Sequence, residues 1–92
     1  MMPFLTIFTT PKPFTNPHIA AIQRNALRNW TRLGAEVHVL AIGEEEGLVE
    51  MAQELGVQMV AQVQRNAQGT PLVSDIFRQA RRYSESPFLA YV

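Results

Sequence analysis

The stretch "FLTIFTTPKPFTNPHIAAIQRNALRNWTRLGAEVHVLAIG", residues 4–43, contains the order of elements that decides the fold. It opens with a short and mostly apolar run, residues 4–8, which is typical of a buried strand. After a loop with two prolines, Thr15 or Asn16 can cap a helix that has a third proline at its first position. The run "VHVLAI", residues 37–42, predicts a second buried strand. The order is strand, helix, strand.

The same alternation continues to the end of the chain. A helical pattern covers residues 44–55, with three glutamates in its opening turn, and "VQMV" (57–60) predicts a third strand. A threonine and a proline at 70 and 71 predict the start of a third helix, and "FLAYV" (88–92) predicts a fourth strand. Strands that alternate with helices form parallel sheets with right-handed crossovers. We therefore expect an α/β, three-layer Rossmann-like half, with a parallel sheet of about four strands in the order 3-2-1-4 and helices on both faces.

The composition predicts a small domain from a reducing compartment. The 92 residues include 47% apolar and 17% charged residues, and their formal net charge is zero. This balance argues against a nucleic-acid or membrane partner. Cysteine is absent, which excludes disulfides and thiolate metal sites. The N-terminal residues have no basic region of a signal peptide, so we expect a cytoplasmic protein.

The predicted fourth strand carries no charge and has no covering helix after it. Isolated proteins usually protect such an edge with charge, proline or another element. We therefore expect residues 1–92 to form a single but incomplete domain, which is either covered by further chain or self-associates as a homo-oligomer through the edge at 88–92.

Two loops lie where a parallel sheet binds ligands, beyond the carboxyl ends of its strands and nearest the crevice between strands 1 and 4. The loop at 9–16 contains Lys12, which can meet a phosphate, beside a helix start that favours anions. The alternative is a stiff connection only, because no glycine-rich phosphate fingerprint is present. In "RNAQGTPLVSD" (65–75), Asp75 either contacts a ligand or complements the dipole of its helix.

The remaining charged residues favour structural roles. The glutamates at 44–46 could supply a metal site or a ribose contact, but three adjacent acids at a helix start are usually solvated partners of the helix dipole. The histidines at 18 and 38 have no Cys or Asp partner at metal-ligand spacing. Arg65 is grouped with the three arginines of the third helix as a solvated basic cluster. No pair of residues forms a nucleophile with its base, so the sequence predicts no catalytic residue.

Four segments together resemble one family: "TIFTTPKPF", "NPHIAAIQRNALRNW", "VLAIGEEEG" and "RNAQGTPLVSDIF". They are similar to the N-terminal half of the GT-A-fold nucleotide-diphospho-sugar transferases, a glycosyltransferase-like family. The resemblance covers nearly the whole chain, and "GTPLVSD" is its most specific part.

The resemblance implies a nucleotide-binding site. The loop after the first strand would line the diphosphate and ribose, the loop after the second would lie near the base, and the lead into the third helix would form a wall over the nucleotide. These residues are Thr9, Thr10, Pro11 and Lys12; Gly43 and Glu44; and Asn66, Thr70, Pro71, Ser74 and Asp75.

The resemblance also implies what this chain lacks. In the family, an acidic D-x-D motif that holds Mn²⁺ or Mg²⁺ follows the strand equivalent to "FLAYV", and this sequence stops before it. We therefore expect a nucleotide-diphospho-sugar-binding half that is inactive alone. The alternative is a non-enzymatic Rossmann-like module for interaction or self-association.

Overall fold

The computed structural model describes residues 3–92. Strands and helices alternate along this part of the chain, as the sequence predicts. The predicted strand at 37–42 is confirmed at both ends, and the other strands differ from their predicted bounds by one residue. The elements are β1 (Leu5–Thr9), α1 (Pro17–Thr31), β2 (Val37–Ile42), α2 (Leu48–Leu55), β3 (Gln58–Val60), α3 (Val73–Tyr83) and β4 (Phe88–Tyr91).

The four strands form one parallel sheet in the order β3-β2-β1-β4. Leu5 of β1 lies opposite Val37 of β2 on one side and opposite Phe88 of β4 on the other. This topology confirms the predicted α/β fold and its 3-2-1-4 order. Because all four strands are parallel, their carboxyl ends lie at the same edge of the sheet.

Helices cover both faces of the sheet, as predicted. The first face packs against α1 and α2, and the second packs against α3. The buried residues of the first cluster are Leu27, Val39, Ala41, Leu48, Met51, Ala52 and Val57. Those of the second cluster are Phe8, Leu40, Ile42, Val60, Ile76 and Ala80. No helix within residues 3–92 is long and apolar enough to cross a bilayer.

Two helices begin later than the sequence predicts. α2 begins at Leu48, because Glu44–Glu46 belong to a loop whose Glu46 carbonyl accepts a hydrogen bond from the Phe14 amide. α3 begins at Val73, because Pro71 is held in an antiparallel bridge with Arg65 before the helix starts. In both cases, contacts made by the loop before the helix delay the start of the helix beyond the position that the local sequence pattern predicts.

A cluster of three buried hydroxyls joins β1 to the chain that leads into β4. The Thr6 hydroxyl lies 2.6 Å from that of Ser84 and 2.7 Å from that of Ser86. All three side chains are buried. Because buried hydroxyls without partners are costly, this cluster favours the observed placement of the chain before β4 beside β1.

Gly47, the residue before α2, is where the loop after β2 meets the loop after β1. Its φ is +85°, and a Cβ at this position would lie 2.7 Å from the Cβ of Phe14. Phe14 is also held there by the hydrogen bond from its amide to Glu46. A side chain at Gly47 would therefore be strained and would also push the two loops apart.

We predict that Gly47→Ala destabilises the chain more than Gly56→Ala. Gly56 has a φ of +70° with nothing within 4 Å of an added Cβ, so it is a control for backbone strain alone. We expect a loss of about 1 kcal/mol for Gly56→Ala. The overpacking against Phe14 adds about 1–3 kcal/mol in Gly47→Ala. Urea unfolding followed by circular dichroism measures both, and equal losses would contradict the proposed contact.

Candidate functional site

The loop after β1 is held in one conformation by α1. The amide of Lys12 donates to Oε1 of Gln23 (2.6 Å), and Nε2 of Gln23 donates to the Lys12 carbonyl (2.9 Å). Asn16 caps α1, since its Oδ1 accepts from the amides of His18 and Ile19. This confirms the predicted cap and shows that the Lys12 backbone is fixed while its side chain is exposed.

The segment before α3 folds back on itself. Arg65 and Pro71 form an antiparallel bridge, and the Asn66 amide donates to the carbonyl of Thr70 (2.8 Å). The side chain of Asn66 accepts from the amides of Gln68 and Thr70. The polar stretch is therefore a closed turn, which we call the 65–71 turn.

Asp75 anchors the chain just before the 65–71 turn. Its Oδ2 accepts from the Gln64 amide (2.7 Å), and the side chain is 2% exposed. Its Oδ1 lies 3.4 Å from Nη1 of Arg78 and makes no hydrogen bond within the described part of the chain. In this structure Asp75 joins the turn to α3.

A cleft of about 340 Å³ lies at the carboxyl edge of the sheet. Its walls are the loop after β1, the end of β2 with the loop that follows it, and the 65–71 turn. It brings together five of the residues that the sequence predicts for a nucleotide site: Thr10, Pro11, Lys12, Thr70 and Pro71.

The other predicted residues lie around this cleft. Gly43 is buried, and a Cβ there would lie 3.5 Å from Nη2 of Arg65. Glu44 and Asp75 line a neighbouring cleft of about 380 Å³.

The remaining predicted residues line neither cleft. Asn66 shapes the 65–71 turn through its hydrogen bonds. The last two lie apart from both clefts: Thr9 lines a small cavity beside α1, and Ser74 is exposed in the first turn of α3.

Two charged residues of the cleft were missed by the sequence analysis. Arg65, which the sequence groups with the arginines of α3 as a solvated cluster, is only 26% exposed at its side chain and lines the cleft together with Glu45. Nη1 of Arg65 lies 3.0 Å from Oε1 of Glu45 and donates to the Gly69 carbonyl at 2.8 Å. The sequence contains one signal for Arg65, which is its position beside a turn-forming segment. It contains no signal for the pairing with Glu45, because the two residues are twenty positions apart.

The charges of the cleft favour an anion. Lys12 and Arg65 contribute two positive charges from separate loops, and Glu45 contributes one negative charge. Hydroxyls of Thr10 and Thr70 add neutral hydrogen-bonding groups. The arrangement can therefore bind an anionic group by charge and hydrogen bonds.

The crevice between β1 and β4 is bridged by side chains. The hydroxyls of Thr10 and Tyr91 lie 2.9 Å apart. The Tyr91 ring stacks on Phe8 with centroids 5.2 Å apart, and Phe77 meets both rings edge to face. The 340 Å³ cleft lies on the other side of the loop after β1, over the end of β2.

Comparisons of the chain with protein families, curated proteins and solved structures found no match.

We predict that Gln23→Ala loosens the loop after β1. The substitution leaves the amide and carbonyl of Lys12 without their partner, and each lost hydrogen bond is worth about 0.5–1.5 kcal/mol. We expect amide exchange at Lys12 to become about tenfold faster, since 1.4 kcal/mol corresponds to a factor of ten. Hydrogen exchange followed by NMR measures this. Gln53→Ala, at an exposed position of α2, is the control. Unchanged exchange at Lys12 in Gln23→Ala would contradict the role of Gln23.

Proposed function

We propose that this chain binds a nucleoside diphosphate, as the nucleotide-diphospho-sugar-binding half of a glycosyltransferase-like protein. One observation carries the proposal: two cations from separate loops, Lys12 and Arg65, line one cleft beyond the carboxyl ends of parallel strands. Open α/β sheets bind ligands at this edge. The cleft itself lies over the end of β2, and not at the predicted crevice between β1 and β4, which Thr10 and Tyr91 bridge. The sequence resemblance supports the same assignment.

The size and the lining of the site support a ligand with a charged and a neutral part. A volume of about 340 Å³ lies within the range of small-molecule sites. In the proposed binding mode, the diphosphate occupies this cleft near Lys12, and the ribose and base extend past Gly43. There Glu44 lines the neighbouring cleft and can accept hydrogen bonds from hydroxyl or amino groups.

The proposed function is binding rather than transfer. Residues 3–92 hold no group of three or more side chains that fits a metal ion such as Mn²⁺ or Mg²⁺. In a full-length family member, Mn²⁺ or Mg²⁺ would neutralise charge on the diphosphate and would need ligands from outside this segment.

We predict that uridine, guanosine or adenosine diphosphate shifts the NMR signals of two separated segments, residues 10–12 and 65–71. The ¹⁵N-labelled chain is titrated with each nucleotide in the presence of Mg²⁺. The matching nucleoside without phosphate is the ligand control. We expect Lys12→Gln to weaken binding about threefold to tenfold, because one exposed cation near a phosphate contributes about 1 kcal/mol.

Arg32→Gln is the matched protein control, because Arg32 is an exposed cation at the end of α1. It should bind the nucleotides as the unmodified chain does. Signal changes confined to residues outside both segments, or no change with any of the three nucleotides, would contradict the proposed function.

A second candidate function is self-association, and the free edge of β4 favours it. The amides of Phe88 and Val92 point inward, to the carbonyls of Phe4 and Phe8 on β1. By the alternation of a strand, the amides of Leu89 and Tyr91 face outward, on the side of β4 that has no neighbouring strand among residues 3–92. Exposed Phe88 and Val92 add apolar surface to this edge. A second copy that pairs here would extend the sheet.

We predict that the chain forms dimers or larger oligomers that Phe88→Lys weakens. The added charge lies on the free edge, where Phe88 is 55% exposed, so it opposes pairing without emptying the core. Val49→Lys on α2, where Val49 is 48% exposed, is the matched control. Light scattering across a dilution series measures the molecular mass. A monomer at high concentration, with 88–92 ordered, would contradict self-association.

A further inference from the structure

Arg65 is held at the base of a rigid turn. The bridge to Pro71 and the hydrogen bond from Asn66 to Thr70 close the 65–71 turn around it. The neighbouring Gln64 is tied to buried Asp75. Because its backbone is fixed on both sides, Arg65 presents its side chain to the cleft at little further cost in conformational entropy.

The guanidinium of Arg65 is only partly used by the protein. It has five N–H donors. Nη1 donates to the Gly69 carbonyl and faces Glu45, whereas Nη2 lies beside Gly43, which has no side chain to cover it. Within residues 3–92, the Arg65 side chain makes this hydrogen bond from Nη1 only, and none from Nε or Nη2. The Arg65 side chain is 26% exposed, so these donors sit in a partly desolvated wall of the cleft.

Glu45 faces the same guanidinium and is similarly sheltered, with 25% of its side chain exposed. Its carboxylate neutralises part of the positive charge that an incoming anion would meet. In a partly buried site, a nearby charge of the same sign as the ligand opposes its binding more strongly than it would in water.

We infer that Arg65 binds a phosphate group of the ligand through its free Nε and Nη2 donors, and that Glu45 competes with the phosphate for this guanidinium. The inference rests on the proposed function, because it requires an anionic ligand in this cleft. A guanidinium fork matches two phosphate oxygens, which an ammonium does not. Lys12 adds a positive charge from the opposite loop, and the negative charge of Glu45 lowers the affinity of the cleft for the anion.

The test measures the affinity of the full chain for inorganic pyrophosphate and for uridine diphosphate by NMR titration. We expect Arg65→Gln to weaken both about tenfold or more, and Arg65→Lys to recover only part of the loss. Glu45→Gln should tighten both about threefold to tenfold, because it removes the competing charge and keeps the shape of the side chain. Uridine, which lacks phosphate, should be insensitive to all three changes.

The ion pair between Arg24 and Glu54 provides the matched control. Arg24→Gln and Glu54→Gln make the same changes on the outer surface of α1 and α2, and neither should alter either affinity.

The Nε–H signal of Arg65 in the unmodified chain gives a readout that requires no variant. We expect it to shift with pyrophosphate and with uridine diphosphate but not with uridine.

The outcomes separate the two proposals. If the unmodified chain binds but Arg65→Gln binds equally well, or the Arg65 Nε–H signal stays still, the inference is overturned and the proposed function stands. If Glu45→Gln weakens binding as Arg65→Gln does, Glu45 supports the site and the competition is overturned. If neither the unmodified chain nor Glu45→Gln binds any nucleotide, the proposed function itself fails.

Discussion

β1 and β2 pair in parallel over five residues, from Leu5 opposite Val37 to Thr9 opposite Ala41. Both strands contribute buried residues to the core, and β4 and β3 flank them on either side. Two adjacent parallel strands end at the same edge, so their following loops emerge side by side. The contact between Phe14 and Gly47 follows from this pairing, because the two residues lie in the loops after β1 and β2. The cleft between Lys12 and Arg65 also needs the parallel pairing of β2 with β3, because Arg65 lies in the segment after β3.

The loops at this edge are ordered by hydrogen bonds that leave side chains free. Gln23 holds the backbone of Lys12, Asn66 closes the 65–71 turn, and Asp75 ties the adjacent chain to α3. In each case a side chain satisfies main-chain groups that have no partner in a regular helix or strand. The charged ends of Lys12 and Arg65 thereby remain available in a cleft whose walls are fixed beforehand, which lowers the entropic cost of binding an anion.

The two ends of the sheet differ in their chemistry. At the amino end of β1, three hydroxyls satisfy one another in a buried cluster around Thr6. At the carboxyl end, the partly exposed ion pair of Arg65 and Glu45 retains unused donors. Buried polar groups that satisfy one another contribute to a unique structure, whereas half-exposed charges with spare donors can exchange partners with a ligand. The carboxyl edge is therefore the end of the sheet whose charged groups have donors available to a ligand.

The alternation of strand and helix patterns determined the fold class, the parallel sheet and the order of its strands. Apolar runs such as 37–42 and the Asn16–Pro17 cap are local signals, and a right-handed crossover leaves few other topologies. Only the folded structure decided where α2 and α3 begin. Glu46 accepts a hydrogen bond from Phe14 of the loop after β1, and Pro71 is bridged to Arg65 at the other end of its own turn. The folded structure also decided which charges share the cleft. Arg65 lies twenty positions from Glu45 and more than fifty from Lys12, and only the packing of the loops brings these side chains together.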